Sequence, residues 1–294
     1  MNVILLLGNR GQLGWELHRA LLPLGWVVAL DAPEINVTDR QETLRAVQEH
    51  RPAVILNATA YTAVDRAESE PDLALAVNGS APGYLAEAAA SVKAALVHIS
   101  TDYVFDGAKG TPYIETDTPH PLGMYGQSKL AGEQAIVQVD GAYLVFRTSW
   151  LYSLRRDSFV TKVLSWARQQ TSLRVVADQV GNPTWARPLA ETISQLLAMS
   201  GRDLYSWIHE RRGIYHLAGD GYASRLEWAR AILGCDSQPQ EQTVREILPA
   251  LTAEFPTPAQ RPLFSALDCS RFTQTFDLRL PRWEVALQLA MQVE

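Results

Sequence analysis

Tyr125-Gly126-Gln127-Ser128-Lys129 sets a phenol and an ammonium four residues apart. On a helix that spacing puts both side chains on one face, a turn apart. A free phenol has a pKa near ~10, too high for an acid working at neutrality. A neighbouring ammonium favours the phenolate and lowers that value, so the proton can pass to a forming alkoxide. The same lysine can hold the ribose of a nicotinamide and fix its reactive face. With ten tyrosines and four lysines in the chain, accident supplies such a pair only about 0.14 times. Upstream lies His98-Ile99-Ser100-Thr101-Asp102-Tyr103-Val104-Phe105-Asp106-Gly107. The Thr101 hydroxyl, at the end of an apolar strand, can hydrogen-bond a carbonyl oxygen as charge develops on it, with Ser100 the rival for that role.

A third motif, Gly8-Asn9-Arg10-Gly11-Gln12-Leu13-Gly14, follows an apolar run directly and opens a helix. A dinucleotide pyrophosphate needs backbone without Cβ atoms beside it and a helix N-terminus aimed at it, and glycines at a strand-to-helix turn supply both. Asp31 ends the second strand, where an acid bonds the adenosine ribose and favours NADH. Arg10, inside the glycine loop, can instead meet the 2′-phosphate of NADPH. The two cues oppose each other, so tolerance of both cofactors is expected.

These residues need a scaffold that brings strand ends together. Short apolar runs at 3–7, 26–30, 53–56, 95–99 and 143–146 read as buried parallel strands. Helical stretches alternate with them; one opens on a capping-box pattern at Thr38, with Gln41 three residues on, ahead of Leu44 and Val47. Such alternation implies an α/β fold, a Rossmann-type doubly wound parallel sheet. After Trp150 the rhythm loosens: a helix over 157–170, a strand at 173–176, an ordered loop over 178–187, helices at 191–199 and 225–233 flanking a strand at 214–217, an irregular proline-rich stretch over 249–262 and a final helix over 281–291. The expected division is a dinucleotide-binding domain over 1–150 and a smaller mixed α/β C-terminal lobe over 151–294 that binds substrate. The strands near 173–176 and 214–217 are expected to extend the sheet.

Composition narrows the function classes. The 294 residues are 47% hydrophobic and 20% charged, ordinary for a globular chain. A net charge of -6 argues against a nucleic-acid partner, which would need a basic stripe. Cys235 and Cys269 form no CxxC or metal-ligand spacing. No apolar run approaches the ~20 residues of a membrane span, and the N-terminus carries no basic leader ahead of its apolar run. A cytoplasmic protein with reduced thiols and no membrane partner is expected.

Taken together, these motifs resemble the extended short-chain dehydrogenases/reductases, and within them the branch that reduces nucleotide-linked keto sugars. The similarity runs nearly end to end. It is carried by Gly11-Gln12-Leu13-Gly14-Trp15-Glu16-Leu17, by Asn57 through Asp65, by Ser100 through Phe105, by Tyr125 through Glu133, by Arg147-Thr148-Ser149-Trp150, and by Pro256-Thr257-Pro258 through Arg261-Pro262. The resemblance implies a dTDP-sugar substrate whose C4 ketone receives hydride from NADPH or NADH. Tyr125 would donate the proton, Lys129 would tune it and Thr101 would polarise the ketone. Implied cofactor contacts are Gly11, Gln12, Leu13, Asp31, Ala60, Tyr61, Thr62 and Ile99, and implied sugar-nucleotide contacts are Thr101, Asp102 and Trp150. Taken alone, Trp150 reads equally well as a packed aromatic, and Tyr61 as core.

Two departures from that pattern stand out. Asn36-Val37 replaces an acidic residue that many relatives carry near the adenine. Some relatives also hold Mg²⁺ between subunits through three glutamates; Glu16 and Glu284 match two of them, but the third position is Arg187. A guanidinium there replaces the charge of a metal, so no metal and a monomer or weak homodimer are expected. Two other readings compete: a non-catalytic regulatory subunit of the methionine adenosyltransferase type, and a sibling nucleotide-sugar epimerase, dehydratase or reductase. The intact Thr101, Tyr125 and Lys129 oppose the first. A dehydratase would want an acid–base pair beside the threonine, where this chain has Asp102-Tyr103.

Overall fold

Every residue of Val54–Asn57 and of Tyr143–Thr148 is buried, the pattern of strands covered on both faces. The computed structural model describes residues 3–293. Its strands are β1 (Val3–Leu7), β2 (Trp26–Leu30), β3 (Val54–Asn57), β4 (Ala95–Thr101), β5 (Tyr143–Thr148), β6 (Ser172–Val176), β7 (Gly213–His216) and β8 (Glu246–Ala250), apart from several two-residue bridges. Six of them make one sheet in the order β7-β5-β4-β3-β1-β2, parallel throughout.

Because side chains alternate across a strand, the sheet feeds two cores. Ile4, Leu6, Val54, Leu56, Val97, Leu144 and Phe146 face one side. Leu5, Leu7, Ile55, Leu96 and Val145 face the other. The first side is covered by α1 (Gln12–Leu21), through Leu13, Leu17 and Leu21, and by Leu189, Ile193 and Leu196 from a helix late in the chain. The second is covered by α2 (Arg40–His50), α3 (Ala81–Val92) and α4 (Met124–Val139). The cap of α2 is Asp39, whose carboxylate accepts from the Gln41 and Glu42 amides. Thr38 is therefore not the cap; its hydroxyl is bonded to Asn36.

Strand order decides where a ligand can enter. The chain passes from β1 through α1 to β2 on one side, then crosses through α2 to β3 on the other side of β1. Between β1 and β3 the connections diverge, and a crevice opens at the carboxyl ends of the strands. Gly8 ends β1 there, and Ala58 follows β3; the Ala58 amide donates to Leu7 O at 3.0 Å.

The later half of the chain divides between the sheet and a second core. β7 joins β5 as the edge of the main sheet. β6 does not extend that sheet, contrary to expectation; it pairs in parallel with β8. Its burial alternates, Leu173 and Val175 inward and Arg174 outward, which suits a one-faced ribbon rather than a doubly covered strand. The ribbon packs with α5 (Phe159–Gln169), α7 (Arg225–Gly234) and α8 (Trp283–Val293) around Tyr152, Trp185 and Trp228. Between α5 and α7 in the chain, α6 (Ala186–Met199) packs on α1 and thereby belongs to the sheet layer. The proline-rich stretch closes β8 with its first two residues, makes a short 3-10 turn at Thr252–Glu254 and is otherwise irregular.

Gly14 lies where α1 crosses the turn after β1. A Cβ on it would sit 1.9 Å from Gly8 O. Gly14→Ala is therefore expected to lower stability by at least ~1–3 kcal/mol, as overpacking against backbone does, read as a lower midpoint of urea unfolding.

Candidate active site

The glycine turn is shaped by close backbone approach. Gly8 has φ +83, and a Cβ there would meet Ala58 C and Thr59 N at 2.8 Å, so both the left-handed conformation and the contact require glycine. The Gly11 amide donates to Gly8 O at 3.0 Å, and no side chain caps α1. The first amides of α1 are thus free to meet an anion. Asn9 Oδ1 and Gln12 Oε1 are buried without partners, two polar atoms left for a ligand to satisfy. A cleft of about 620 Å³ opens here, lined by Gly11, Gln12, Leu13, Ala58, Thr59, Ala60, Thr62, Ile99, Thr101, Tyr125, Lys129 and Trp150 among others. The glycine cradle and unfilled amides fit a dinucleotide pyrophosphate, while the orphaned amide oxygens can accept only from a donor such as a ribose hydroxyl.

At the far end of this cleft β4 runs out and α4 begins. Tyr125 and Lys129 lie on the first turns of α4. Lys129 is buried, its Nζ donating to Ile99 O at 2.6 Å. Burial lowers its pKa to about 8, against the pull of Glu133. Burial lifts the Tyr125 phenol above its ordinary value; hydrogen bonding with Thr101 works in the opposite direction, and the charges of Asp102 and Tyr103 add to the rise. The expectation that Lys129 lowers the phenol is not met, because the lysine nitrogen is turned toward strand β4. At neutral pH the phenol therefore keeps its proton, the state an acid needs. The rings of Tyr103 and Tyr125 meet edge-on at 5.7 Å.

Asp102 also lines the first cleft. It is buried, accepting from Ser265 Oγ at 2.5 Å, Ser149 Oγ at 3.0 Å and Thr101 Oγ1 at 3.2 Å. Burial raises its carboxyl to about 6, with the three hydroxyls holding it down. It ties the ends of β4 and β5 to the C-terminal segment, and Thr101 to its own carboxylate.

Trp150, just after β5, adopts φ +45 and stacks on Trp228 at 5.5 Å, with the Arg225 guanidinium 3.6 Å from its ring centre. It borders the first cleft and a second one of about 810 Å³. Lys162, Arg174, Arg225 and Arg261 line the second cleft beside the aromatic rings of Phe159, Trp166 and Phe255. Arg261 is fixed by Asp65, its two terminal nitrogens 3.0 and 2.9 Å from the carboxylate oxygens, which joins the loop after β3 to the C-terminal segment.

Not every anticipated residue reaches the clefts. Gly8 and Gly14 shape the turn from behind. The Arg10 side chain leaves the cleft, donating to Ala32 O at 2.8 Å and pairing with Glu34. Asp31 accepts from the amides of Arg10 at 3.0 Å and Ala32 at 2.9 Å. Tyr61 turns its hydroxyl to Glu70 at 2.5 Å. Glu16, one of the two matched glutamates, receives Arg187 Nε at 3.3 Å, and among the described residues no group of three or more His, Cys, Asp or Glu side chains is placed to hold a metal.

Comparison with known proteins fits this geometry. A family model described as the RmlD substrate binding domain matches residues 1–294. The dTDP-4-dehydrorhamnose reductase of Burkholderia thailandensis is 41% identical over 293 residues, covering 98% of each chain. The chain belongs to the dTDP-4-dehydrorhamnose reductase family. The enzyme of that name from Escherichia coli K12 is 38% identical over 295 residues, covering 97% of this chain and 95% of its own. A crystal structure of the Bacillus anthracis reductase in complex with NADP superposes with a TM-score of 0.89 at 34% identity, covering 100% of this chain and 99% of that one. A UDP-glucose 4-epimerase from Thermus thermophilus shares the fold alone, at 20% identity and a TM-score of 0.79.

Within a member of the dTDP-4-dehydrorhamnose reductase family, the residues that sequence reasoning missed include the cationic ones of the second cleft. Lys162 and Arg225 stand in no motif, and Arg261 is visible only as part of the proline-rich signature. Ala58 and Thr59 belong to a quoted motif, but their closeness to Gly8 needs the sheet. Among the described residues no helix is long and apolar enough to cross a membrane.

The buried Asp102 yields a pH signature. Its folded pKa of about 6 lies above the unfolded value, so the folded state binds the extra proton. Stability therefore falls as pH rises through the window from about 4 to 6. Asp102→Asn removes this dependence: urea unfolding is expected to show the variant gaining on the parent chain as pH rises from 4 to 8, with no gain below about 4.

Proposed function

We propose that this chain reduces the C4 ketone of dTDP-4-dehydro-β-L-rhamnose to dTDP-L-rhamnose, with NADPH or NADH as the reductant. The observation that carries this reading is the convergence of Thr101, Tyr125 and Lys129 in the first cleft, which shares Gln12, Thr62, Trp150 and Leu151 with the cationic second one. The family relatives named as dTDP-4-dehydrorhamnose reductases support it. They favour it over the regulatory-subunit reading and over a sibling epimerase.

In this reading the free amides at the start of α1, with Gly11, Gln12 and Leu13, hold the pyrophosphate of the dinucleotide. Ala60, Thr62 and Ile99 line its path toward the reacting end. A reduced nicotinamide bound there supplies the hydride. Lys129 holds the nicotinamide ribose and presents one face to the sugar. Thr101 donates its hydroxyl to the ketone oxygen as that oxygen gains charge. Tyr125 gives its proton to the same oxygen, so that the carbonyl acquires one hydride at carbon and one proton at oxygen. Trp150 walls the sugar. Arg225, Lys162 and Arg261 neutralise the diphosphate, and the apolar rings beyond them receive the base. Asp102 serves the substrate through Thr101 and the strand ends it ties together. Arg187 on Glu16 balances an acidic site from within the chain, consistent with a monomer or weak homodimer that uses no bridging metal.

Cofactor choice turns on Arg10. Its pairing with Glu34 withholds the guanidinium from a 2′-phosphate, while Asp31 is engaged by two backbone amides rather than presented as a free acceptor. Neither cue dominates, which fits use of both cofactors.

Turnover of dTDP-4-dehydro-β-L-rhamnose with NADPH and with NADH, followed by NMR of the product, tests the assignment; no consumption of either cofactor would overturn it. Tyr125→Phe is expected to lower kcat by about 10²- to 10⁴-fold while NADPH titration by fluorescence stays unchanged. Glu34→Gln frees Arg10 and is expected to raise the NADPH-over-NADH ratio of kcat/KM by about three- to tenfold, measured by competition of the two cofactors.

A further inference from the structure

Behind the lysine of the active site lies a chain of buried polar groups that the reaction as described does not use. Asn57, the last residue of β3, receives two hydrogen bonds on Oδ1, from the Thr59 amide at 3.0 Å and the Thr59 hydroxyl at 2.6 Å. A backbone amide only donates, so this fixes which end of the Asn57 side chain is oxygen. Its nitrogen therefore faces His98 Nδ1, 3.0 Å away on the neighbouring strand. His98 is fully buried, and burial and then the charge of Lys129 push its pKa well below the ordinary histidine value. A neutral imidazole that accepts at Nδ1 carries its proton on Nε2. That Nε2–H points at Lys129 Nζ, 3.3 Å away.

Two N–H donors do not bond each other. The contact is a hydrogen bond only when Lys129 contributes a lone pair, accepting from His98 while it donates to Ile99 O at 2.6 Å. We propose that His98, oriented by Asn57, is a positioning residue that favours the amine form of Lys129 while the lysine lies against β4, and that turning from the histidine toward the cleft favours the ammonium. Resting on the reductase reading, this couples the ammonium to the side where ribose hydroxyl oxygens would accept from it. The other charged or titratable groups around the lysine do not supply such a coupling. Glu133, on the same helix, favours the ammonium, but it is held by Arg147 of β5, with N–O distances of 2.9 and 2.6 Å, and by the Ser100 hydroxyl. Tyr125, also on α4, is protonated at neutral pH, and Asp102 at the end of β4 is occupied by three hydroxyls.

The chain has four lysines, which makes a direct test practical. Lys93, Lys109 and Lys162 are exposed. In protein labelled with ¹³C-lysine, the side-chain signals can be titrated by NMR, with Lys129 assigned from Lys129→Met. Lys129 is expected to titrate near 8, apart from the other three. In His98→Asn, whose short amide still accepts from Asn57 but reaches no donor to the lysine, the midpoint rises by about half to one pH unit. In His98→Gln, which restores a donor at the distance of Nε2, it returns toward the parent value. Asn57→Asp gives an independent check should the histidine variants fold poorly: a carboxylate facing Nδ1 draws the imidazole proton to that nitrogen, and the Lys129 midpoint rises. The alkaline limb of the kcat profile is expected to move with the NMR midpoint. A Lys129 signal that titrates with the exposed lysines, or one that His98→Asn leaves unmoved, would overturn the proposal. The titration needs no turnover, so absence of ketone reduction would count against the reductase reading alone.

Discussion

The site depends on how the first half of α4 is locked to the carboxyl end of the sheet by buried polar contacts. Lys129 Nζ bonds the Ile99 carbonyl, Ser128 Oγ meets Asn78 Nδ2 at 3.1 Å, and Glu133 is shared by Arg147 and Ser100. Glycines let the backbones close in: a Cβ on Gly126 would sit 2.2 Å from Tyr103 O, and one on Gly132 would sit 2.1 Å from Asn78 O. A buried polar group without a partner is costly, so each of these bonds admits only one placement of the helix. Tyr125 is carried to the crevice as a consequence.

The same logic runs through the supporting shell. Asn78 lies in a π-helical turn, Ala76–Ser80, that leads into α3. It accepts from the Tyr61 amide at 2.9 Å and donates to Tyr61 O at 3.0 Å, pinning the loop that follows β3 to the helix that carries the phenol. Glu68 from that loop accepts from the Met124 amide at 2.8 Å, standing in for a cap at the start of α4. Asp102 and the Asp65–Arg261 pair attach the C-terminal segment to the same strand ends. The C-terminal segment is therefore fixed to the strand ends by charge-assisted bonds as well as by the apolar cluster of Val104, Phe105, Tyr113, Ala218 and Leu267.

Much of the N-terminal architecture was legible because it is written locally. Apolar runs of strand length, glycines between a strand and a helix, and a four-residue spacing of Tyr125 and Lys129 are all short-range signals, and each maps onto one element. Thr101 was legible as the hydroxyl at a strand end. The second cleft was not, because Lys162, Arg225 and Arg261 come from segments 36 or more residues apart and none has a periodic neighbour. β6 was legible as a strand but not as a partner of β8, since pairing depends on which surface remains uncovered after the main sheet is complete. Arg10 looked available to a phosphate until Glu34 was seen to share its surface.

By itself the sequence determined the alternation of strands and helices, the glycine turn and the residue types able to move a proton, because backbone conformation and side-chain periodicity follow from neighbours within a few positions. Tertiary structure decided which donors face which acceptors. Asn57, His98 and Lys129 become a directed chain only when β3 lies beside β4 and α4 is pressed upon them. Asp102 changes from a residue in a motif to a buried carboxyl only when Ser149 and Ser265 arrive from distant segments. Charge, tautomer and proton affinity depend on burial and on partners, and those are set by the packing of the whole chain.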